Sequence, residues 1–231
     1  MSIQRHLPNA ITCLNLLSGS LAIVVALAQG DLTLAAGLVV LSAVFDFFDG
    51  LVARALDVSS PIGKDLDSLA DVVSFGLSPA IIMIEAMWQL GFSTYTPLPL
   101  LLIGAFAALR LAKFNNDSRQ TTSFIGLPVP ANALFWLGLM ASLPELYRMA
   151  PDPTALLIGV YVCIALLSYL MVSEIPMFSF KVKGLSLSAL HRQIILVGGS
   201  LIFVLWLGFA GLSLSVLLYV ALSVMRMNRK P

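Results

Sequence analysis

Long apolar runs alternate with short polar breaks along nearly the whole chain. Set against the roughly 20 residues that cross a bilayer, they predict spans near 10–28, 33–53, 68–90, 98–114, 129–147 and 153–172. A last run, from about Ile194 to Met225, is too long for one helix. Gly208 and Gly211 near its middle predict two shorter helices in a tight hairpin. The pattern therefore predicts an all-α fold: a polytopic integral membrane helical bundle of about eight transmembrane helices, forming a single domain over 1–231.

Composition closes off the soluble alternative. Of 231 residues, 59% are hydrophobic and 11% charged, more apolar side chain than a soluble domain of this length can hide. The net charge of +1 points to no partner, and nucleic acid is not expected. The distribution of charge says more. With the amino terminus inside and eight spans, Arg5, Arg54, Lys64, Arg110, Lys113, Arg119, Lys181, Lys183, Arg192, Arg226, Arg229 and Lys230 face the cytoplasm, and only Arg148 lies outside. Twelve against one follows the positive-inside rule and puts both termini in the cytoplasm. Trp88, Tyr95, Tyr147 and Trp206 then fall near the outer boundary, where amphipathic rings settle. The first apolar run is too long for a cleaved signal and is read as a retained helix. Cys13 and Cys163 sit in apolar runs without metal-like spacing and are expected to be small buried hydrophobes.

One stretch breaks the apolar pattern. Between Asp46 and Asp71 lie six of the twelve acidic residues, wedged between two spans. An aspartate at the centre of a membrane helix costs roughly 2.5–3.5 kcal/mol on insertion scales, so acid beside hydrocarbon marks function. Asp46 and Asp49 close the second span, and Asp67 and Asp71 open the third. Spacings of three and four put each pair on one helix face. The SSPIGK segment between them carries turn chemistry and predicts an antiparallel hairpin, so that four carboxylates converge at the cytoplasmic surface. Four close negative charges need counter-charge, which hard divalent cations with oxygen ligands supply, and a two-metal clamp suits phosphoryl chemistry. Gly50, Ala53 and Gly63 are small enough to let an anionic ligand approach the backbone, and Arg54 can neutralise a phosphate or brace a carboxylate. Asp57 and Asp65 lie off the shared faces and are read as solvated.

The pattern D-x-x-D-G-x-x-A-R, eight residues, then G-x-x-x-D-x-x-x-D resembles that of the CDP-alcohol phosphotransferases. Asp46, Asp49, Gly50, Ala53, Arg54, Gly63, Asp67 and Asp71 fill it without departure. The resemblance implies a membrane enzyme, expected as a homodimer, that binds a CDP-linked lipid and one or two divalent ions, magnesium or manganese, with two the expected number. It implies Asp46, Asp49, Asp67 and Asp71 as metal ligands, and Asp71 also as general base. Gly50, Ala53, Arg54 and Gly63 would hold the nucleotide and diphosphate.

Other segments bear on the acceptor alcohol. LPNAITCLNLLSG, LADVVSFGLSPA, ALRLAKFN (Ala108–Asn115), FIGLPVPANA (Phe124–Ala133) and MVSEIPMFSFK (Met171–Lys181) resemble the phosphatidylserine synthases of that superfamily. This implies transfer of a phosphatidyl group from CDP-diacylglycerol to L-serine, giving phosphatidylserine and CMP, in a prokaryotic plasma membrane with the site facing the cytoplasm. Serine carries a carboxylate, and an arginine takes a carboxylate bidentately. Arg110 is thus the first candidate for serine binding, with Lys113 and Asn115 beside it at the end of the fourth span. Pro128 and Pro130 read as helix starters. Lys181, Lys183, His191 and Arg192 are placed in a late loop along an anionic lipid surface. Rival readings are the same chemistry with glycerol phosphate, inositol phosphate or choline, an ether-lipid donor, and a divalent-cation transporter.

Overall fold

The computed structural model describes residues 6–58, 60–117, 124–177 and 187–225. Almost all of them are helical. Six stretches are long and apolar enough to cross a membrane: Leu7–Gln29, Leu32–Ala55, Pro61–Gln89, Leu98–Asn116, Pro153–Val172 and His191–Val224. The chain is an integral membrane protein whose contacts fall into two compact units, 1–112 and 113–231.

The first unit holds α1 (Leu7–Gln29), α2 (Leu32–Ala55), α3 (Pro61–Gln89) and most of α4 (Leu98–Asn116). Only Gly30 and Asp31 join α1 to α2. Gly30 takes the left-handed conformation (φ 65°) that ends a helix. The Asp31 carboxylate accepts from the Leu34 amide at 2.9 Å and starts the next helix. α3 begins seven residues before the predicted span, because Ser60 caps it and Pro61 fits its first turn. The expected SSPIGK turn is accordingly shorter, with Pro61 to Lys64 already helical. Within α3, Val72–Leu77 forms a π-helical stretch directly after Asp71.

Helix α1 inverts the soluble pattern. Its buried positions include Thr12, Asn15, Ser18, Gly19 and Ala22 alongside Pro8, Val25 and Ala26, while Leu14, Leu17, Leu21, Val24 and Leu27 are exposed. In lipid, hydrocarbon outside costs nothing, so close packing and hydrogen bonds between helices hold the interior together. Gly19 lies so close to Ser74 of α3 that a Cβ there would collide with its backbone. Cys13 follows the same logic: it is exposed, not buried as expected, and Cys163 is half-buried. Apolar residues on these helices face outward as readily as inward.

The second unit holds α5 (Val129–Met149), α6 (Pro153–Val172), α7 (Leu187–Leu207) and α8 (Gly211–Val224). Pro128 and Pro130 flank the first residue of α5 as expected. Two-residue strands, β1 (Phe124–Ile125) and β2 (Pro176–Met177), pair antiparallel. α7 and α8 pack together across a short turn at Gly208–Ala210, where Gly208 has φ 59°. The hairpin predicted at these glycines is therefore present. The helix starts at Leu187, however, so His191 and Arg192 belong to α7 and not to a loop. Lys181, Lys183, Arg5, Arg119, Arg226, Arg229 and Lys230 lie outside the described residues.

Candidate functional site

The carboxylates sit where α2 ends and α3 begins. Asp46 and Asp49 occupy successive turns near the end of α2, and the Ser60 cap sets the helical phase of Asp67 and Asp71. One oxygen each from Asp46, Asp49 and Asp67 lies within 4.8 Å of the others. Asp49 is buried, and Asp46 and Asp67 are half-buried. Asp71 is outside this group of three; it is buried one turn deeper, within electrostatic reach of Asp46 and Asp67. Arg54, exposed on the last turn of α2, provides opposing charge to Asp49.

A cavity of 580 Å³ opens beside the carboxylates, a size suited to a small-molecule ligand. Asp49 and Asp67 form part of its wall, and the small residues Gly50, Ala53 and Gly63 line it. The two glycines have specific neighbours. A Cβ on Gly50 would stand 3.3 Å from the Arg54 guanidinium, and one on Gly63 would stand 3.0 Å from Asn9 Oδ1. Asp57 and Asp65 are exposed, in keeping with the solvated reading, although Asp57 also borders the cavity. Asp57 takes a left-handed φ of 51° just past the end of α2, a position that tolerates aspartate.

Helix α1 contributes residues that the aspartate motif did not reveal. Pro8, Asn9 and Thr12 line the cavity. The Thr12 hydroxyl donates to Asp49 Oδ2 at 2.7 Å, and Asn15 Nδ2 donates to Asp71 Oδ1 at 3.3 Å. In the sequence, Thr12, Asn15, Ser18 and Gly19 form a small, polar stripe at helical spacing, which was the available signal.

The residues expected around serine are less uniform. Arg110 is buried in α4 at 6% exposure, unusual for an arginine. Lys113 is exposed, donates to the Val172 carbonyl at 3.1 Å and stands 3.8 Å from Glu174. Asn115 is half-buried.

As a donor set, Asp46, Asp49 and Asp67 are compact and offer only oxygen. That fits a hard divalent cation of the magnesium or manganese class, where zinc would favour nitrogen or sulfur ligands. Small residues lining a cavity beside a cation-binding edge suit an anion whose charge the cation shares.

Comparison with known proteins gives a consistent picture. The model of the CDP-alcohol phosphatidyltransferase family matches residues 5–178. A CDP-diacylglycerol–serine O-phosphatidyltransferase of Mycobacterium tuberculosis is 37% identical over 145 residues, covering 58% of this chain and 49% of the relative. One of Bacillus subtilis is 34% identical over 179 residues, covering 77% of this chain and 93% of the relative. An archaetidylserine synthase of Methanothermobacter thermautotrophicus is 37% identical over 131 residues, covering 55% and 54%. The chain spans about half the length of the mycobacterial relatives it matches.

Proposed function

Since the chain belongs to the CDP-alcohol phosphatidyltransferase family, we infer that it transfers a phosphatidyl group from CDP-diacylglycerol to L-serine, yielding phosphatidylserine and CMP. The observation that carries this reading is the three-carboxylate group at the edge of a cavity lined by Gly50, Ala53 and Gly63. The bacterial relatives are named for transfer to serine, and the archaeal one is named as a synthase of the serine lipid archaetidylserine. Serine as acceptor is thus better supported than acyl over ether chains in the donor.

Asp46, Asp49 and Asp67 would hold one or two magnesium or manganese ions, with Asp71 as a further ligand by family resemblance. Such ions supply positive charge to the transferring phosphoryl group and the leaving phosphate. Gly50, Ala53 and Gly63 admit the nucleotide and diphosphate close to the backbone, and Arg54 meets its charge from the end of α2. Asp71 takes the proton of the serine hydroxyl. The serine oxygen forms a bond to the lipid-side phosphorus, and the bond from that phosphorus to the bridging oxygen breaks. CMP leaves with that electron pair. Arg110 is the residue for the serine carboxylate, with Asn115 beside it. Lys113 has a weaker claim, because its ammonium is already engaged by Val172 and Glu174.

The chain acts as one catalytic domain, a homodimer in a prokaryotic plasma membrane. Its site and both termini face the cytoplasm. Eight crossings follow if α5 spans and if α7 and α8 cross separately, and the charge bias supports that count.

The test is CMP release by purified protein with CDP-diacylglycerol and manganese across a panel of alcohols. Release with L-serine, abolished in Asp71→Asn while CDP-lipid binding persists, is the expected result. Full activity in Asp71→Asn would remove the general base, and release only with another alcohol would remove the serine assignment.

A further inference from the structure

Two of the four motif aspartates are gripped from a helix that carries no acid at all. Thr12 and Asn15 lie three apart on one face of α1, 3% and 0% exposed. Thr12 donates to Asp49 and Asn15 to Asp71. The same turn of α1 is tied to both acidic helices. The Asn15 carbonyl accepts from Ser42 of α2 at 3.1 Å and from Ser74 of α3 at 3.0 Å. One turn on, the Gly19 carbonyl accepts from Ser78 at 2.8 Å.

The amide of Asn15 is only half used. Its Nδ2 serves Asp71, while its buried Oδ1 meets no donor among the described residues. A buried acceptor left unmade is costly. A residue serving only to fill this position would be apolar and would carry no such cost. The donating half of the amide, aimed at Asp71, is what the position provides.

We propose that α1 is the positioning element of the carboxylate cluster: Thr12 orients Asp49 for the cation, and Asn15 orients Asp71 for the acceptor hydroxyl. The Asn15 arm rests on the phosphatidyl-transfer reading; the Thr12 arm needs only a bound cation. Both residues act through an aspartate. Their loss therefore separates into two signatures, because Asp49 belongs to the group of three carboxylates and Asp71 stands behind it.

The experiment uses the full chain in detergent, with Thr12→Val, Asn15→Leu, Asn15→Ala and, as a control, Ser20→Ala. Among the described residues, Ser20 bonds only within α1, to the Leu16 carbonyl at 2.8 Å. Manganese affinity is read by electron paramagnetic resonance, folding by melting temperature, and turnover by CMP release. Thr12→Val should weaken manganese binding about 10- to 100-fold, as loss of a group that orients a ligand does. Both Asn15 variants should weaken manganese binding less than Thr12→Val does and keep the KM for CDP-diacylglycerol within about threefold, while kcat falls on the order of 100-fold, the cost of a misplaced reacting group. Melting temperatures should match the control. The proposal is overturned if Thr12→Val binds manganese normally, or if the Asn15 variants turn over normally. Failure of both Asn15 variants to fold also overturns it, since Asn15 would then be a structural residue. If the unaltered protein binds manganese but releases no CMP with any alcohol, the transfer reading fails. Positioning is then decided by the Thr12 arm: weakened binding upholds it and unchanged binding overturns it.

Discussion

At the scale of single residues, the cavity depends on atoms that are missing. Gly63 sits in the first turns of α3, where alanine is favoured over glycine by about 1 kcal/mol in helix propensity. The added methyl would meet Asn9 Oδ1 at 3.0 Å and Ser60 Oγ at 3.1 Å, both movable side-chain ends. Stability should therefore hold while ligand space shrinks. Gly63→Ala is expected to raise the KM for CDP-diacylglycerol several-fold and leave kcat within about twofold. A steady-state titration checks the split, and an unchanged KM would place the ligand elsewhere. The glycine and the four aspartates were legible because charge and small size are conspicuous next to hydrocarbon. Thr12 and Asn15 were not, since their stripe with Ser18 and Gly19 marks a polar helix face without showing which acids it bonds.

Among the elements, α3, like α7, begins seven residues before the apolar run that marks it. Hydropathy begins at residue 68, but the helix begins at Pro61, because a cap and not hydrophobicity starts it. The Ser60 hydroxyl accepts from the Gly63 amide at 3.0 Å. Ser60→Ala should lose about 1 kcal/mol and lower the melting temperature by about 2–4 °C. It should also raise the KM for the CDP-lipid, since Gly63 lies in the turn that frays. Calorimetry and CMP release on one preparation would test both, and a lower melting temperature with unchanged kinetics would separate the cap from the site. The hairpin at Gly208 was readable for the opposite reason: a run too long for one crossing must turn, and glycine marks where.

For the whole molecule, nearly all-helical architecture and membrane residence followed from hydropathy alone, because a bilayer demands long apolar helices. The number of crossings did not follow so simply. Val129–Met149 is a full-length helix outside the six most apolar stretches, and His191–Val224 is one apolar stretch folded as two helices. Single cysteines placed at Asp57 and Tyr95, in a background lacking Cys13 and Cys163, would test orientation with an impermeant maleimide. Asp57 should react only from the cytoplasmic side and Tyr95 only from outside; labelling from the same side would break the assigned topology. The π-helical stretch Val72–Leu77 has a further consequence for how this protein can change. A π turn closes its hydrogen bonds one residue further along than an α turn, so a one-residue deletion there that restores α-helical winding, at about 100° per residue, would leave Asp67 and Asp71 in place and keep Ser78 and everything beyond it close to their present phase. Loss of one residue from this segment is therefore milder than the same loss from the α-helical turn before it. Descendants of this chain can drop a residue here and keep the half of the helix that carries the chemistry coupled to the half embedded among its neighbours, whereas a residue lost between Asp67 and Asp71 would turn the two carboxylates about 100° out of phase.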